Sequence, residues 1–444
     1  MEKPWPSFVS TVLQTLQKSG FEAMLVGGCV RDGLLQRRAR DYDVATNATP
    51  HQVMSLFPKT ASTGIQHGTV TVISKGQPIE VTTYRVDLGY SDGRHPEKVC
   101  FTPNLVEDLA RRDFTINAIA QDLQGRFIDP YQGRVDLGRQ TIRCVGSPTI
   151  RFQEDSLRIL RALRLAAELA FSIEKTTFYE MLNAAPLLAK LPGERVGQEL
   201  WRLAAAGHWF EKLQSLANIT FWEPLGPAVS SLQPGLAALS RENEIHQKAW
   251  LTVPENPEDS QQRALAALIT WLWAGKQSLE SAEALARHCG WSKAIGNTLT
   301  HTLAMMQDDP AVWSILDWRI HLYEGPRESL GLACRILDWF AGLDPGAANS
   351  RWRLCQKIWD KHPLQTPRAL SITGEDLIHL GLQGQNIGQV KKALVAAVLS
   401  ERCPNQRQSL LTLAREISQP LAYPQNEVLE PTNTPESWHG WEQG

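Results

Sequence analysis

Leu25-Val26-Gly27-Gly28-Cys29-Val30-Arg31-Asp32, followed nine residues later by Asp41-Tyr42-Asp43, is the stretch whose reading decides the fold. An apolar strand over Ala23–Val26 runs into a glycine turn, a short helix from about Val30 and a second strand over Tyr42–Ala45. Paired glycines let a backbone approach phosphates closely, and the N–H groups that open a helix point at anions. Asp41 and Asp43 are two residues apart, so on a strand both carboxylates project from one face. Side by side they repel unless a cation lies between them, and an oxygen-only donor pair suits Mg²⁺, which also holds phosphates. The stretch reads as a metal-dependent nucleotide site. Its Gly-Gly lacks the GxGxxG spacing of a dinucleotide fold.

Around it, the chain alternates short β-rich runs with helices from residue 21 to about 145. Phe8–Leu16 has helical spacing and ends at Gly20. Further strands are expected over Thr69–Ile73, Ile79–Tyr84, Ile119–Asp122 and Arg126–Ile128, with Ser74-Lys-Gly-Gln-Pro78 as a hairpin turn. Asp87–Glu107 is polar and aperiodic and reads as a long mobile loop of the functional kind. Beyond residue 148, proline-punctuated helical patterns run to about 415 without a convincing strand. The segment from about Ser418 is rich in Pro, Glu, Asn and Gly and reads as disordered.

Composition sets the outer limits. The 444 residues are 43% hydrophobic and 21% charged, enough for several packed units. A net charge of −2 confines any nucleic-acid surface to a local patch. Seven scattered cysteines without CxxC spacing argue against a disulfide scaffold or a thiolate zinc site. The start of the sequence has no apolar signal core and no apolar run reaches membrane-spanning length, so a cytoplasmic, non-membrane protein is expected.

Three groups of residues carry chemistry besides the opening stretch. Glu80 is either a third acid beside Asp41 and Asp43 or a structural partner of Arg85. In Leu109-Ala-Arg-Arg-Asp-Phe-Thr-Ile-Asn-Ala118, Arg112 suits phosphate or ribose oxygens and Asn117 a loop or sugar hydroxyl. Asp113 there is either a helix cap, a proton acceptor or a ribose contact. In Glu154-Asp-Ser-Leu-Arg-Ile-Leu-Arg-Ala-Leu-Arg-Leu165, Leu157, Leu160 and Leu163 face a core. Asp155, Arg158, Arg161 and Arg164 follow at i, i+3 spacing on another face. That face is either a solvated row of ion pairs or a base reader. An Asp accepting from an exocyclic amine beside an Arg donating to the adjacent ring nitrogen fits cytosine and adenine. Uracil and guanine leave both groups unpaired, at roughly 1.5–3 kcal/mol for each lost charged hydrogen bond.

Together these residues resemble the class II tRNA nucleotidyltransferase/poly(A) polymerase family of the polymerase β superfamily. Gly64-Ile-Gln-His-Gly-Thr69, Asp92-Gly-Arg-His-Pro96, Asp129-Pro-Tyr-Gln-Gly133 and Glu194-Arg-Val196 add matching blocks in the family's order. The tail, Gly374–Leu382 through Pro404–Gln408, resembles the compact Bacillus-like CCA-adding subgroup. The resemblance implies a polymerase β-like palm, an α+β head with a mixed sheet over 1–145. An all-α neck (146–210), body (211–345) and tRNA-binding tail (346–417) would follow, with 418–444 disordered. It implies that Asp41 and Asp43 bind Mg²⁺ and that Gly28, Arg31 and Arg112 contact the incoming nucleotide. Asp155 and Arg158 would read the base, aided by Arg161 and Arg164, with Glu80, Asp113, Asn117 and Glu154 as accessory groups. The implied activity is template-independent CCA addition to tRNA from CTP and ATP, with tRNA held by its acceptor and T arms, and a homodimer as in the subgroup. A-only addition and poly(A) synthesis are the alternatives. The loop over 87–107 disfavours CC-only addition. No His is followed by Asp, so no phosphohydrolase activity is expected. Arg351–Lys361 and Lys391-Lys392 are candidate contacts to the RNA backbone.

Overall fold

The computed structural model describes residues 5–39, 41–89, 98–216, 220–240, 260–308, 313–341, 350–361, 364 and 369–418. They fall into two compact units: one comprises residues 1–310 and 328–353, the other 311–327 and 354–444.

The first unit begins with α1 (Ser7–Lys18), whose apolar side is buried and which is closed by Gly20 at φ 86°. Strand β1 (Ala23–Val26), helix α2 (Gly28–Leu34), strand β2 (Asp43–Thr46) and helix α3 (Pro50–Leu56) follow. Next come β3 (Thr60–Gly64), β4 (Thr69–Ser74) and β5 (Gln77–Thr83). A second hairpin is formed by β6 (Arg85–Leu88) and β7 (Lys98–Phe101). Helix α4 (Leu105–Ala110), strands β8 (Ala120–Gln121) and β9 (Phe127–Ile128) and helix α5 (Gly133–Gly138) complete the head. The main sheet has the order β3-β4-β5-β2-β1-β8-β9, with β2 and β5 parallel and the other pairs antiparallel. It is therefore mixed, as expected. Lys75 and Gly76 both have positive φ (50° and 80°) between β4 and β5, the two-residue turn whose twist suits a hairpin.

The strand bounds differ from those expected in ways that sterics explain. Strand β2 starts at Asp43 and not Tyr42, leaving Asp41 in the loop before it. Strand β8 is cut to two residues because Thr115–Asn117 forms a 3₁₀ turn just upstream. Strand β3, Thr-Ala-Ser-Thr-Gly, is an edge strand with no apolar alternation to reveal it. The ends of the polar Asp87–Glu107 stretch are not loop: they form the β6/β7 hairpin and open α4, which Asn104 caps by accepting from the Val106 N–H. Residues 90–97, with Asp92-Gly-Arg-His-Pro96, lie outside the described residues, as does the 419–444 segment.

After β10 (Thr141–Ile142) come α6 (Pro148–Glu154) and α7 (Leu157–Leu169). The expected single helix through Glu154–Leu165 is broken at Asp155-Ser156. Asp155 is extended (φ −147°, ψ 101°) and its Oδ1 accepts from the Leu157 N–H, a local bond that competes with helix continuation. Leu157, Leu160 and Leu163 are buried as expected, but so are Arg158 and Arg164, so α7 is enclosed on most sides. One strand does follow residue 148: β11 (Ser172–Ile173), pairing in parallel with β10. Helices α8 (Lys175–Asn183), α9 (Gly193–Ala205), α10 (Trp209–Leu213), α11 (Pro227–Ser230), α12 (Gln233–Leu239) and α13 (Ser260–Ala274) come next. They are followed by α14 (Leu279–His288) and α15 (Lys293–Gln307). Their core is aromatic, with Trp209 edge-on to Trp271 at 4.8 Å. Gly193, Gly197 and Gly235 sit where an added Cβ would fall within 2.3 Å of a backbone oxygen, so these helices touch through their backbones.

In the second unit, Ser314 and Thr373 open helices with capping boxes through Asp317 and Asp376. Leu370, Leu377, Val390, Leu394, Val398 and Leu410 form its core.

Candidate functional site

The site begins at Gly27, whose φ of 79° favours glycine. A Cβ there would lie 3.0 Å from Arg112 Nη1 and 3.6 Å from Asp43 Oδ2, so the turn packs directly against both side chains. The β1–β2 register pairs Val26 with Asp43, and the parallel β2–β5 register pairs Asp43 with Glu80. This register sets Glu80 of β5 beside Asp43, near enough for its charge to be felt there. Burial, opposed in part by Arg112 and reinforced by Glu80 and Asp41, pushes the Asp43 carboxyl up to about 6. Asp43 is thus a half-buried carboxylate whose negative charge is undercompensated.

That imbalance is the observation that fits a divalent cation. No cluster of three or more His, Cys, Asp or Glu side chains among the described residues forms a self-contained metal cage. Two carboxylates with the remaining positions left to phosphate and water is the donor set Mg²⁺ accepts. Glu80 is exposed and does not line the cleft, while Arg85 pairs with Asp87 at 3.1 Å and donates to the His67 carbonyl. Its influence on Asp43 is therefore electrostatic.

Asp41, Asp43, Gly28, Arg31, Arg112, Asp113, Asn117, Asp155, Arg158, Arg161 and Arg164 all line one cleft of about 1220 Å³. Glu80 and Glu154 do not. Eleven arginines against seven carboxylates line it, which makes the cleft a local positive patch on a chain of net charge −2. A relay of side chains fixes its floor. Arg31 donates to Asn117 Oδ1 (2.8 Å), Asn117 donates to Asp113 (3.1 Å), and Asp113 pairs with Arg161 (2.9 Å). Burial alone would raise the Asp113 carboxyl, but Arg161, the Asn117 amide and the Phe114 N–H together hold it below the usual carboxylate range. Asp113 is therefore a locked anion and a poor proton acceptor. Arg112 pairs with the fully buried Asp108 at 3.4 Å, which also holds Arg111 at 2.9 Å.

The residues expected to read the base are arranged differently from the expected i, i+3 row. Asp155 sits in the break between α6 and α7 and is forked by Arg195 of α9 at 3.4 and 3.3 Å. Arg158 pairs with Glu154 (2.7 Å) and donates to the carbonyls of Arg151 and Arg111, which uses three of its five N–H donors. Glu154 is thus a brace for Arg158. Arg164 is gripped by Glu199 (2.5 Å) and Glu168 (2.7 Å) and is 4% exposed. Asp155–Arg195, Arg164–Glu199 and Glu168–Arg202 form a ladder of ion pairs joining the parallel α7 and α9. Sequence reasoning assigned no role to Arg195, Glu199 or Arg202. Their i, i+4 and i+7 spacing places them on one face of α9, a signal that names no partner until α9 is packed against α7.

A family model described as the poly(A) polymerase head domain matches residues 23–143, and one described as the probable RNA and SrmB-binding site of polymerase A matches 170–232. The CCA-adding enzyme of Levilactobacillus brevis is 33% identical over 90% of this chain and 95% of its own length. That of Lactiplantibacillus plantarum is 32% identical over 92% and 95%. The crystal structure of the Bacillus stearothermophilus CCA-adding enzyme in complex with CTP superposes with a TM-score of 0.80 at 30% identity. It covers 95% of this chain and 99% of that one. A Thermotoga maritima CCA-adding enzyme complexed with tRNA, at 21% identity and a TM-score of 0.59, shares the fold. Relatives 32–33% identical over at least 90% of this chain and 95% of their own length show that the chain belongs to the CCA-adding enzymes, a family of nucleotidyltransferases.

Proposed function

We propose that this protein builds and repairs the 3′-terminal CCA of tRNA from CTP and ATP without a nucleic-acid template, with Asp41 and Asp43 holding Mg²⁺. The observation that carries this is the one cleft lined by those two carboxylates, the Gly27-Gly28 turn, Asp155 and Arg158. Bound there, the metal would act as a Lewis acid toward the phosphates and lower the pKa of the attacking hydroxyl. The chain's own part is positioning. Gly28 and Arg31 cradle the triphosphate, and Arg112 contacts ribose or phosphate while screening Asp43. Asp155, held still by Arg195, accepts from the amine of cytosine or adenine, and Arg158 donates to the neighbouring ring nitrogen. Arg161 faces the phosphates from α7, its charge held by Asp113. Arg164 acts at one remove, as the node joining α7 to α9. The RNA 3′-hydroxyl attacks the α-phosphorus and pyrophosphate leaves. The 1–145, 146–210, 211–345 and 346–417 segments serve as head, neck, body and tail. Lys391 and Lys392, both exposed, are candidate tRNA backbone contacts. Arg351 is less suited, being paired with buried Asp338 at 3.2 Å. A homodimer and a cytoplasmic location complete the reading; no helix among the described residues is long and apolar enough to cross a membrane.

The test uses tRNA transcripts ending before the CCA, after one C and after CC, with each NTP alone and together, in Mg²⁺. Stepwise addition of C, C and A is expected. Extension of only the CC-ended transcript would make it an A-adding enzyme, and long A tails on generic RNA a poly(A) polymerase.

A further inference from the structure

The plane of the Arg158 guanidinium is fixed from outside the cleft. Its committed donors reach Glu154 (2.7 Å) and the carbonyls of Arg151 (3.2 Å) and Arg111 (3.0 Å). Two of those three acceptors are governed by Arg151. It supplies one carbonyl itself, and its Nη2 donates to Glu154 Oε1 at 2.6 Å. Glu154 thus takes Arg151 on one oxygen and Arg158 on the other, a bridge that holds the two guanidinium groups in register. The Arg151 carbonyl also accepts from the Asp155 N–H at 3.3 Å, which ties the same residue to the break between α6 and α7.

The other half of Arg151 reaches across to α4. Its Nη1 donates to the carbonyl of Ala110, the last residue of α4, while Arg158 takes the carbonyl of Arg111, the residue that caps it. Carbonyls at a helix C-terminus have no partner inside the helix, and arginine side chains suit them. The next residue is Arg112, whose side chain is pinned to Asp108 of α4 at 3.4 Å. The end of α4 therefore receives two arginines from α6 and α7 and presents Arg112 to the cleft. Arg151 and Glu154 do not line the cleft, and the side chains of Arg151, Glu154 and Arg158 are all largely buried. Enclosed, charge-assisted contacts of this kind hold an orientation more strictly than exposed ion pairs.

We infer that Arg151 is a positioning residue for base selection. It rivets Arg158 to the end of α4 and so fixes the group that reads the base relative to Arg112, the group that meets ribose or phosphate. The inference rests on the assignment of Arg158 to the ring nitrogen proposed above. A hydrogen bond weakens steeply with misalignment. Without Arg151, Glu154 is anchored through one oxygen only, and the Arg158 guanidinium moves with it. Cytosine then loses a donor that uracil, with an N–H at that ring position, never accepted.

The test is single-nucleotide incorporation on a tRNA ending before the CCA, comparing CTP with 3-deaza-CTP, whose ring carries C–H in place of the N3 acceptor. In the full-length protein Arg151→Met, which keeps bulk and removes both contacts, should lower kcat/KM for CTP about tenfold, the worth of one charge-assisted hydrogen bond. For 3-deaza-CTP the loss should stay within about twofold, because the contact that Arg151 orients is already missing. Arg151→Lys retains the charge beside Glu154 without the fork, so it should fall between wild type and Arg151→Met, and it carries the same comparison if Arg151→Met does not fold. An arginine that only supports the fold would cost both nucleotides equally, and that result overturns the inference, as does an unchanged kcat/KM for CTP. Wild-type protein that uses CTP and 3-deaza-CTP alike would instead refute the base-reading role of Arg158, and the inference with it. Calorimetric titration of the two nucleotides without tRNA reads the same contact independently of CCA addition.

Discussion

Replacing Arg195 by Ala should loosen nucleotide choice without touching any atom assigned to the nucleotide. Arg195 forks Asp155 through two contacts of 3.4 and 3.3 Å, long for charge-assisted bonds, between side chains 22% and 15% exposed. Such geometry places the pair near the upper end of exposed ion pairs and below a buried bidentate one, about 1–2 kcal/mol. Asp155 keeps a second tether, its acceptance from the Leu157 N–H at 3.2 Å, so the side chain is loosened and not released. At 1.4 kcal/mol per factor of ten, the ratio of kcat/KM for CTP over UTP should fall about 5–30-fold. The KM for tRNA should hold. Arg195→Lys, which retains the charge but not the fork, should fall between the two. Single-nucleotide incorporation on a tRNA ending before the CCA measures the ratio directly. Discrimination unchanged within twofold, or an equal loss for all four nucleotides, would refute the claim that Arg195 sets the Asp155 carboxylate for base reading.

Two other substitutions test the site's supports. Asp43, with its carboxyl raised from 3.8 to about 6, contributes stability that is present at low pH and lost as pH rises through about 6. Chelated wild-type protein should therefore be more stable at pH 5 than at pH 7.5 by about 1.4 kcal/mol, the part of the full shift that falls above pH 5 at 1.36 kcal/mol per pKa unit. Denaturant midpoints should show this slope flattened in Asp43→Asn, and a slope that persists in the variant would locate the cause elsewhere. Gly133→Ala places a Cβ 2.1 Å from the Thr115 carbonyl oxygen and 2.8 Å from Ile119, beneath the turn that carries Asn117. A loss of about 3 kcal/mol is expected from overpacking against backbone, with a raised KM for CTP as Arg31 loses its anchor. A wild-type denaturation midpoint would show that the α5 contact is not tight.

Much of the site was legible because its parts are local. The Gly-Gly turn, the Asp-x-Asp spacing and the strand-turn-helix around them are encoded within twenty residues, and φ preference and side-chain alternation suffice to read them. The hairpin at Lys75-Gly76 was legible for the same reason. Strand β3 was not, because an edge strand of Thr, Ala and Ser buries too little to show a period. Nor was the break at Asp155, where a side-chain bond to Leu157 N outcompetes a helical pattern that otherwise continues through it. The placement of Glu80 was not legible either: the parallel β2–β5 register sets it opposite Asp43 but leaves it outside the cleft.

The amino-acid sequence by itself determined the chemistry available to this chain. It specifies a carboxylate pair for a cation, glycines for phosphate approach, and Asp and Arg for a base edge, since each depends on residue type and short spacing. Only the tertiary structure decided which charges are spent on the protein and which are left for substrate. In one dimension Arg164 and Asp113 can each be read either as a structural group or as one left for substrate. Folding parallel α7 against α9 consumes Arg164 on Glu199, and enclosing Asp113 locks it to Arg161 and Asn117. Arg263, more than two hundred residues from the Gly-Gly turn, is brought into the same cleft with no partner among the described residues. Pairing between charges falls off within a few ångströms, and such distances are set by packing across hundreds of residues.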